Sequence, residues 1–119
     1  MSMSRYPLEG IRVLDLSQVY AGPLAARTLA DLGAEVIRVE SAVRSTRGGL
    51  KPQAGAVYPN GSPGEKPYNR SAYYNELHRN KLAVGLDLSR EEGRDIFKRL
   101  VAISDAVIEN FSPRVMANF

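Results

Sequence analysis

The ionisable side chains of this sequence offer few combinations that could carry out chemistry. The chain has one histidine, His78, and no cysteine. It therefore lacks the ligands of a His or Cys metal cluster and has no thiol nucleophile. No two carboxylates have a spacing that favours acid–base catalysis, and the serines do not form a nucleophile elbow. We predict no catalytic residue and no metal site within these 119 residues.

Three polar side chains, Asp15, Asp87 and His78, lie at positions that suggest a role. Asp15 and Asp87 each lie near the end of an expected strand, where catalytic groups often occur in α/β proteins. Capping of the following loop is the commoner role of an aspartate in this position. His78 lies in the polar sequence HRNK, which predicts a solvent-exposed structural histidine.

The elements that would position these groups begin with a strand, a helix and a second strand over Gly10 to Glu40. The apolar runs 11–16 and 36–39 predict two strands buried in a parallel sheet. Between them, Pro23 is expected at the first position of a helix and Gly33 just after its end.

The turn from Ser17 to Gly22 is the part of this unit most suited to binding. In open α/β sheets, ligands bind beyond the carboxyl ends of the strands, and a helix N-terminus offers free N–H groups to an anion. The alternative is a tight turn of small residues that only packs the helix against the strand, which is the commoner case for an isolated turn.

The chain then changes character over residues 41–70, which hold five of the ten glycines and four of the seven prolines. This composition predicts a long loop, of the kind that forms a lid, a binding loop or a disordered segment. The loop is basic, which suits phosphate binding, although a solvated basic surface explains the charges equally well. Its basic residues are Arg44, Arg47, Lys51, Lys66 and Arg70.

Regular structure is expected again from Ser71, in two further units. The sequence SAYYNEL predicts a short helix, and the apolar residues of 83–88 predict a third strand. The spacing of Ser89 and Glu92 predicts a capping box at the start of the next helix. Residues 106–108 predict a fourth strand, and Ser112-Pro113 the first residues of a helix. A sheet that stops as another crossover begins suggests the first part of a larger fold.

Composition excludes several functional classes. The net charge is +3, but the basic residues are dispersed and not interleaved with aromatic residues, so nucleic-acid binding has little support. The sequence has no signal-peptide pattern and no long apolar run. We therefore predict a cytoplasmic protein that does not bind membranes.

Three blocks of the sequence resemble the N-terminal region of the family III CoA-transferases. They are PLEGIRVLDLSQVYAGPLAARTLADLGAEVIRVE, NKLAVGLDLS followed by EEGRDIFKRLV, and SDAVIENFSPRVM. The family includes formyl-CoA transferase, carnitine CoA-transferase and alpha-methylacyl-CoA racemase. The resemblance implies an α/β fold with a Rossmann-like parallel sheet and crossover helices, of which residues 1–119 are the N-terminal part.

The resemblance also implies a coenzyme A site built from loops at the strand ends. In the family, CoA, carried as an acyl-CoA substrate, is exchanged with a carboxylic acid, and the complete protein is an interlocked homodimer. The residues implied to bind CoA are Val19, Tyr20 and Ala21, then Leu86, Asp87, Leu88 and Ser89, and finally Asn110, Phe111 and Ser112. Lys81 is expected either near the phosphates or as an exposed lysine.

Some positions depart from the family pattern. Ser41, Ser89 and Asn118 stand where basic residues are common in the family, which weakens the implied phosphate contacts unless Arg44 or Arg47 replaces them. The aspartate that forms the mixed anhydride in the transferases belongs to a region beyond Phe119, as does the His and Asp pair of the racemases. The resemblance therefore implies that this chain alone has no turnover.

Three other interpretations stay open from the sequence. The complete protein could be an acyl-CoA racemase of the same family. It could contain half of an NAD-binding Rossmann domain, since Glu40 ends the second strand, although SQVYAGP lacks the repeated glycines of that fingerprint. The chain could also be a non-catalytic binding or assembly module.

Overall fold

The computed structural model describes residues 5–41 and 56–119. Within them, the protein folds around a parallel sheet of four strands, β1 (Arg12–Asp15), β2 (Glu35–Glu40), β3 (Lys81–Gly85) and β4 (Ala106–Ile108). The strand order is β3-β2-β1-β4, and Leu14 of β1 lies between Ile37 of β2 and Val107 of β4. This sheet confirms the α/β fold predicted from the sequence.

The described residues contain three α-helices, α1 (Ala21–Asp31), α2 (Ala72–His78) and α3 (Glu91–Val101), which connect the strands. On one face of the sheet, Ala26 and Ala30 of α1 pack against Val13 and Val36. On the other face, Phe97 and Leu100 of α3 pack against a cluster that includes Leu14 and Val39. Successive strand residues point to opposite faces, which explains why both apolar clusters draw on the same strands.

Helix α1 ends as predicted but begins two residues early. Gly33 has a φ of +101°, and hydrogen bonds from Gly33 N to Ala30 O (3.0 Å) and from Ala34 N to Leu29 O (3.1 Å) close a Schellman motif. Tyr20 is the N-cap residue, so Pro23 is the third helical residue and not the first. Proline is tolerated there because the N–H groups of the first turn have no partner within the helix.

The capping box predicted at Ser89 does not form. Arg90 is the N-cap residue of α3, and it makes no side-chain cap. The Ser89 hydroxyl instead donates to Asp87 Oδ1 at 2.6 Å, and the Ser89 N–H donates to the same oxygen at 3.0 Å. Asp87 therefore caps the loop after β3, as predicted. Because the Ser89 hydroxyl is bonded to the Asp87 carboxylate, it does not cap α3. Strand β3 also begins earlier than predicted, at Lys81.

The segment after β4 turns instead of forming the predicted helix at Ser112-Pro113. Val115 N donates to Ser112 O at 3.2 Å, and one turn of 3₁₀-helix follows at Met116–Asn118. Arg114 has a φ of +77°, a left-handed conformation that interrupts an α-helix. The turn brings Phe119 back to Phe111, with 6.2 Å between ring centroids.

The basic loop predicted at 41–70 falls partly within the described residues. Arg44, Arg47 and Lys51 lie outside them. Residues 56–70 contain two single turns of 3₁₀-helix, Pro59–Gly61 and Pro67–Asn69. The Arg70 guanidinium donates to the carbonyls of Pro59 at 3.0 Å and Ser62 at 3.3 Å, so this basic side chain holds its own loop together.

Candidate functional site

The loops after β1 and β4 meet at the centre of the carboxyl edge of the sheet. From β1 the chain proceeds outward through β2 to β3 and then crosses back to β4, so the crevice of a doubly wound sheet lies between these two loops. Gln18 N donates to Asn110 Oδ1 at 2.7 Å, and Asn110 Nδ2 donates to Gln18 O at 2.8 Å. This reciprocal pair joins the two loops.

A cavity of about 300 Å³ opens at the same edge, on the side covered by α3. Its floor is the buried side chains at the strand ends, and two aromatic rings, Phe111 and Phe119, close one side. Polar side chains from three segments, those after β1, β2 and β3, also line it. The lining residues are Leu16, Gln18, Arg38, Val39, Glu40, Ser41, Leu86, Asp87, Leu88, Ser89, Phe111, Val115 and Phe119.

The segment after β3 is the part of the predicted site that lines this cavity completely. Leu86, Asp87, Leu88 and Ser89 all contribute to the wall. The Leu86 N–H donates to Glu40 O at 2.8 Å, which continues the sheet pairing and fixes this segment beside the end of β2. Two of the four side chains are apolar and buried.

The other predicted residues take different positions. Phe111 lines the cavity, whereas Asn110 acts through its hydrogen bonds to Gln18. The remaining four, Val19, Tyr20, Ala21 and Ser112, are exposed and do not line it.

Several cavity residues were not predicted from the sequence. Leu16 and Val39 end predicted strands, and their position at the carboxyl end of a strand could have indicated that they line a ligand site. Phe119 and Val115 gave no signal, because they reach the cavity only through the turn at Arg114.

Val19 has an uncommon backbone conformation in the loop after β1. Its φ is +67°, which is a strained region for a β-branched residue. Its carbonyl accepts a hydrogen bond from the Tyr73 hydroxyl of α2, and the neighbouring Gln18 is held by Asn110. The surrounding contacts thus maintain a conformation that the residue would not adopt alone, as is common at functional sites.

A buried cluster of charges lies on the opposite face of the sheet from the cavity's apolar floor. Asp15 is fully buried, and Lys81 Nζ lies 2.8 Å from Asp15 Oδ2. Arg38 Nη1 lies 3.9 Å from the same oxygen. Buried charges are costly unless they are paired and hydrogen-bonded, and here both conditions are met. Asp15 also accepts bonds from the N–H and hydroxyl of Ser17, so it caps its loop as predicted.

The Lys81 ammonium uses all three of its protons within this cluster. Besides Asp15, it contacts Pro23 O at 2.9 Å and His78 Nδ1 at 3.2 Å. Burial lowers the pKa of Lys81, and the hydrogen bond to Asp15 opposes that change. With a side-chain exposure of 1%, Lys81 is not an exposed lysine, and its ammonium group contacts protein atoms.

His78 is part-buried, contrary to the prediction of an exposed histidine. It is the last residue of α2, and its ring stacks at a tilt on Tyr74 with centroids 4.6 Å apart. Burial, together with the charges of Arg38 and Lys81, lowers the pKa of His78 to about 3. The neutral ring accepts the Lys81 proton at Nδ1, which assigns its own proton to Nε2.

Glu40 connects the buried cluster to the cavity rim. Arg38 Nε lies 2.8 Å from Glu40 Oε1, and the Tyr74 hydroxyl donates to the same oxygen. Burial, with the adjacent Glu40 carboxylate, raises the pKa of Tyr74 to about 12. Arg38 is the one cation among the described residues that line the cavity, and its guanidinium also donates to Ser17 O at 3.1 Å.

Comparison with known proteins gives a consistent result. Residues 8–119 match the profile described as CoA-transferase family III. The chain belongs to CoA-transferase family III.

Two similar proteins and one solved structure show how much of a family III protein this chain spans. A probable CoA-transferase of Mycobacterium tuberculosis, Rv1866, is 43% identical over 95% of this chain and 13% of its own length. The succinate–glutarate CoA-transferase of Agrobacterium fabrum is 40% identical over 95% of this chain and 27% of its own. The orthorhombic crystal structure of Rv3272 from M. tuberculosis has a TM-score of 0.75 and 38% identity, covering 94% of this chain and 28% of that chain.

This family III chain therefore corresponds to a minor part of the relatives it matches, as predicted. Within the part of the chain that the structure describes, no three His, Cys, Asp or Glu residues are grouped so that they could hold a metal ion. In that same part, no helix has the length and apolar character needed to cross a bilayer.

Proposed function

We propose that this chain forms the CoA-binding part of an enzyme that transfers CoA between carboxylic acids. The observation that carries the proposal is the convergence, in a family III chain, of three sequence-distant segments on one cavity. Gln18, the segment 86–89 and Phe111 meet there. A pocket at the carboxyl edge of a parallel sheet, with an apolar floor and a few polar groups, has the usual composition of a cofactor site.

The cavity is suited to one end of CoA rather than to the whole molecule. Its volume of about 300 Å³ is at the lower limit for small-molecule pockets. The apolar floor and the Phe111 and Phe119 rings suit a flat aromatic base, for which stacking is favourable. We therefore propose that the adenine end of an acyl-CoA enters this cavity and that the rest extends along the carboxyl edge past the loop at Val19.

The acyl transfer itself is proposed to need residues outside these 119. Within the described residues, the carboxylates near the cavity are engaged: Asp15 is buried against Lys81, and Glu40 is held by Arg38 and Tyr74. Asp87 caps the loop that follows it. In this proposal, an aspartate elsewhere in the complete protein attacks the acyl-CoA thioester, which forms a mixed anhydride and releases the CoA thiolate. The thiolate then attacks the aspartyl carbonyl, so the acyl group leaves as its carboxylate and an aspartyl-CoA thioester remains. The acceptor carboxylate reverses these two steps, which forms its own CoA thioester and regenerates the aspartate.

The complete protein is further proposed to be a cytoplasmic, interlocked homodimer. The support is the family resemblance, together with large apolar side chains that this chain leaves exposed. Leu82 on the edge strand β3 is 57% exposed, and Ile103 after α3 is 61% exposed. These side chains are available for contacts with further protein.

Calorimetric titration of CoA and NAD, each into the protein expressed from its complete reading frame, tests the binding proposal. We expect heat of binding with CoA and none with NAD, because Glu40, the residue expected to bind an NAD ribose, is held by Arg38 and Tyr74. Binding of NAD alone would overturn the proposal in favour of a nicotinamide-binding domain.

Two activity measurements separate the remaining possibilities. Transfer of CoA from succinyl-CoA or formyl-CoA to a panel of carboxylic acids is expected for the complete protein and not for the 119-residue chain. Exchange of the α-proton of an acyl-CoA with D₂O, without any acceptor acid, would instead identify a racemase. CoA binding with neither activity would indicate a non-catalytic module.

A further inference from the structure

We infer that Lys81 is a positioning residue that fixes the geometry of the loop between β1 and α1. This segment, residues 17–22, continues into the first two residues of α1 and contributes Gln18 to the cavity of the proposed CoA site, so the inference rests on the proposed function. Lys81 lies on β3, separated from β1 by β2, and it acts on the loop through Asp15 and Pro23 rather than by touching a ligand.

The start of the loop is held by the buried charges. Every polar group of Ser17 is engaged: its N–H donates to Asp15 Oδ1 at 2.9 Å, its hydroxyl donates to the same oxygen, and its carbonyl accepts from Arg38 Nη1 at 3.1 Å. Ser17 is itself fully buried. The orientation of the first loop peptide therefore depends on where the Asp15 carboxylate lies.

The end of the loop is held by the same lysine. Lys81 Nζ donates to the carbonyl of Pro23, a buried residue in the first turn of α1, at 2.9 Å. It donates at 2.8 Å to Asp15 Oδ2, the oxygen that Ser17 does not use. A single ammonium group thus links Asp15, which precedes the loop, to Pro23, which follows it.

Close packing keeps the two ends of the loop, Ser17 and Gly22, at a fixed separation. A Cβ added at Gly22 would lie 2.3 Å from the Cβ of Ser17, so the two ends of the loop are in direct contact. If the Lys81 bonds were lost, Pro23 and Asp15 could shift relative to one another, and Ser17 and Gly22 would separate. The exposed residues between them, including the strained Val19, would then lose their common orientation.

The alternative role, direct contact with an anionic ligand, does not fit the geometry. All three protons of Lys81 are already used, its side chain is 1% exposed, and it is not among the residues lining the cavity. A lysine that is fully hydrogen-bonded inside the protein is held as a structural tie.

The test compares Lys81→Met with the control Leu77→Ala in the protein expressed from its complete reading frame. Leu77, on α2, is buried at 1% exposure, and its truncation destabilises the folded protein by leaving a cavity. We expect Lys81→Met to weaken CoA binding at least tenfold by calorimetry, with a matching rise in KM, and Leu77→Ala to change CoA affinity less than twofold. Equal affinities for the two folded variants would overturn the inference.

A second variant covers the case in which Lys81→Met does not fold. The double variant Asp15→Asn with Lys81→Met leaves no unpaired buried carboxylate, and the Asn oxygen can still accept the Ser17 N–H. We expect folding to recover without recovery of CoA affinity. Recovery of both would show that Lys81 only neutralises Asp15 and would overturn the inference.

Hydrogen–deuterium exchange separates failure of the inference from failure of the proposed function. Faster exchange over residues 17–24 in Lys81→Met, but not in Leu77→Ala, is expected whether or not CoA is present. A wild-type protein that binds no CoA but shows this pattern would refute the proposed function alone. Unchanged exchange in Lys81→Met would refute the positioning role.

Discussion

Asn110 and Gln18 exchange two hydrogen bonds across the central crevice of the sheet, at 2.7 and 2.8 Å. One residue follows β4 and the other follows β1, and 92 positions separate them in the sequence. The Asn110 side chain acts as a peptide-like bridge, since it donates to a backbone carbonyl and accepts from the N–H of the same residue. Of the two residues, Gln18 lines the cavity.

Replacing Asn110 by Asp tests the bridge with minimal change of shape. The carboxylate keeps an acceptor for Gln18 N–H but loses the donor to Gln18 O and places a charge against that carbonyl. We expect a loss of about 1 kcal/mol in unfolding free energy, the scale of one hydrogen bond, and weaker CoA binding in the complete protein.

The matched control for this change is Asn118→Asp, because Asn118 is also an exposed asparagine after β4 and does not line the cavity. Urea denaturation and calorimetry should show little change there. Identical effects at the two positions would mean that charge alone, and not the bridge, matters.

Ala21→Leu tests whether the loop after β1 approaches the ligand through its backbone. Ala21 is exposed, so the larger side chain should not disturb folding but would occupy space beside the cavity. We expect CoA binding by the complete protein to weaken by an overpacking-scale penalty of about 1 to 3 kcal/mol, measured by calorimetry.

Tyr20→Phe serves as the comparison in the same loop, since it removes only a hydroxyl from an exposed ring. Its effect on CoA affinity should be small. Wild-type affinity in a folded Ala21→Leu protein would place the ligand elsewhere on the edge of the sheet.

His78 makes folding depend on pH in a defined direction. Its pKa is about 3 in the folded protein, against the ordinary histidine value of 6.5, so between these values the unfolded chain binds the additional proton. The unfolding free energy should therefore fall as the pH falls through 6.5 toward 3. The part of this decrease due to His78 should be below about 1.4 kcal/mol per pH unit, because one proton is involved and the ring is only part-buried.

The measurement is urea denaturation of the wild type and His78→Gln at intervals from pH 4 to 7. Glutamine can accept the Lys81 proton through its side-chain oxygen but does not titrate. We expect a smaller pH slope in the variant. Identical slopes would assign the pH dependence to the carboxylates.

The 119-residue chain expressed by itself is expected to self-associate. Leu82 and Ile103 are more than half exposed. Among the described residues, β3 and β4 are the edge strands of the sheet, and edge strands are templates for pairing with further chains. Light scattering should show species larger than a monomer.

Lysine at both exposed positions, Leu82→Lys with Ile103→Lys, should reduce that association without changing the buried clusters. A stable, soluble wild-type monomer that unfolds cooperatively would count against this prediction.

The sequence by itself determined the four strands of the sheet, the three α-helices and their order. Apolar runs over 11–16, 36–39 and 106–108 correspond to strands, and Gly33 ends α1 where it was expected. These features depend on local rules: the periodicity of burial along the chain, and the ease with which glycine adopts a positive φ. The family resemblance also predicted a binding role for residues 86–89 and Phe111, all of which line the cavity.

Tertiary structure decided which polar residues are partners. Lys81 and Asp15 are separated by 66 positions, and no pattern in either segment indicates that β2 lies between their strands and brings their side chains together. Burial of His78 followed from that pairing, as did the loss of any role for Lys81 at the surface. Phe119 became part of the cavity only because Arg114 adopts a left-handed conformation. Such contacts depend on strand order and loop path, which local periodicity does not encode.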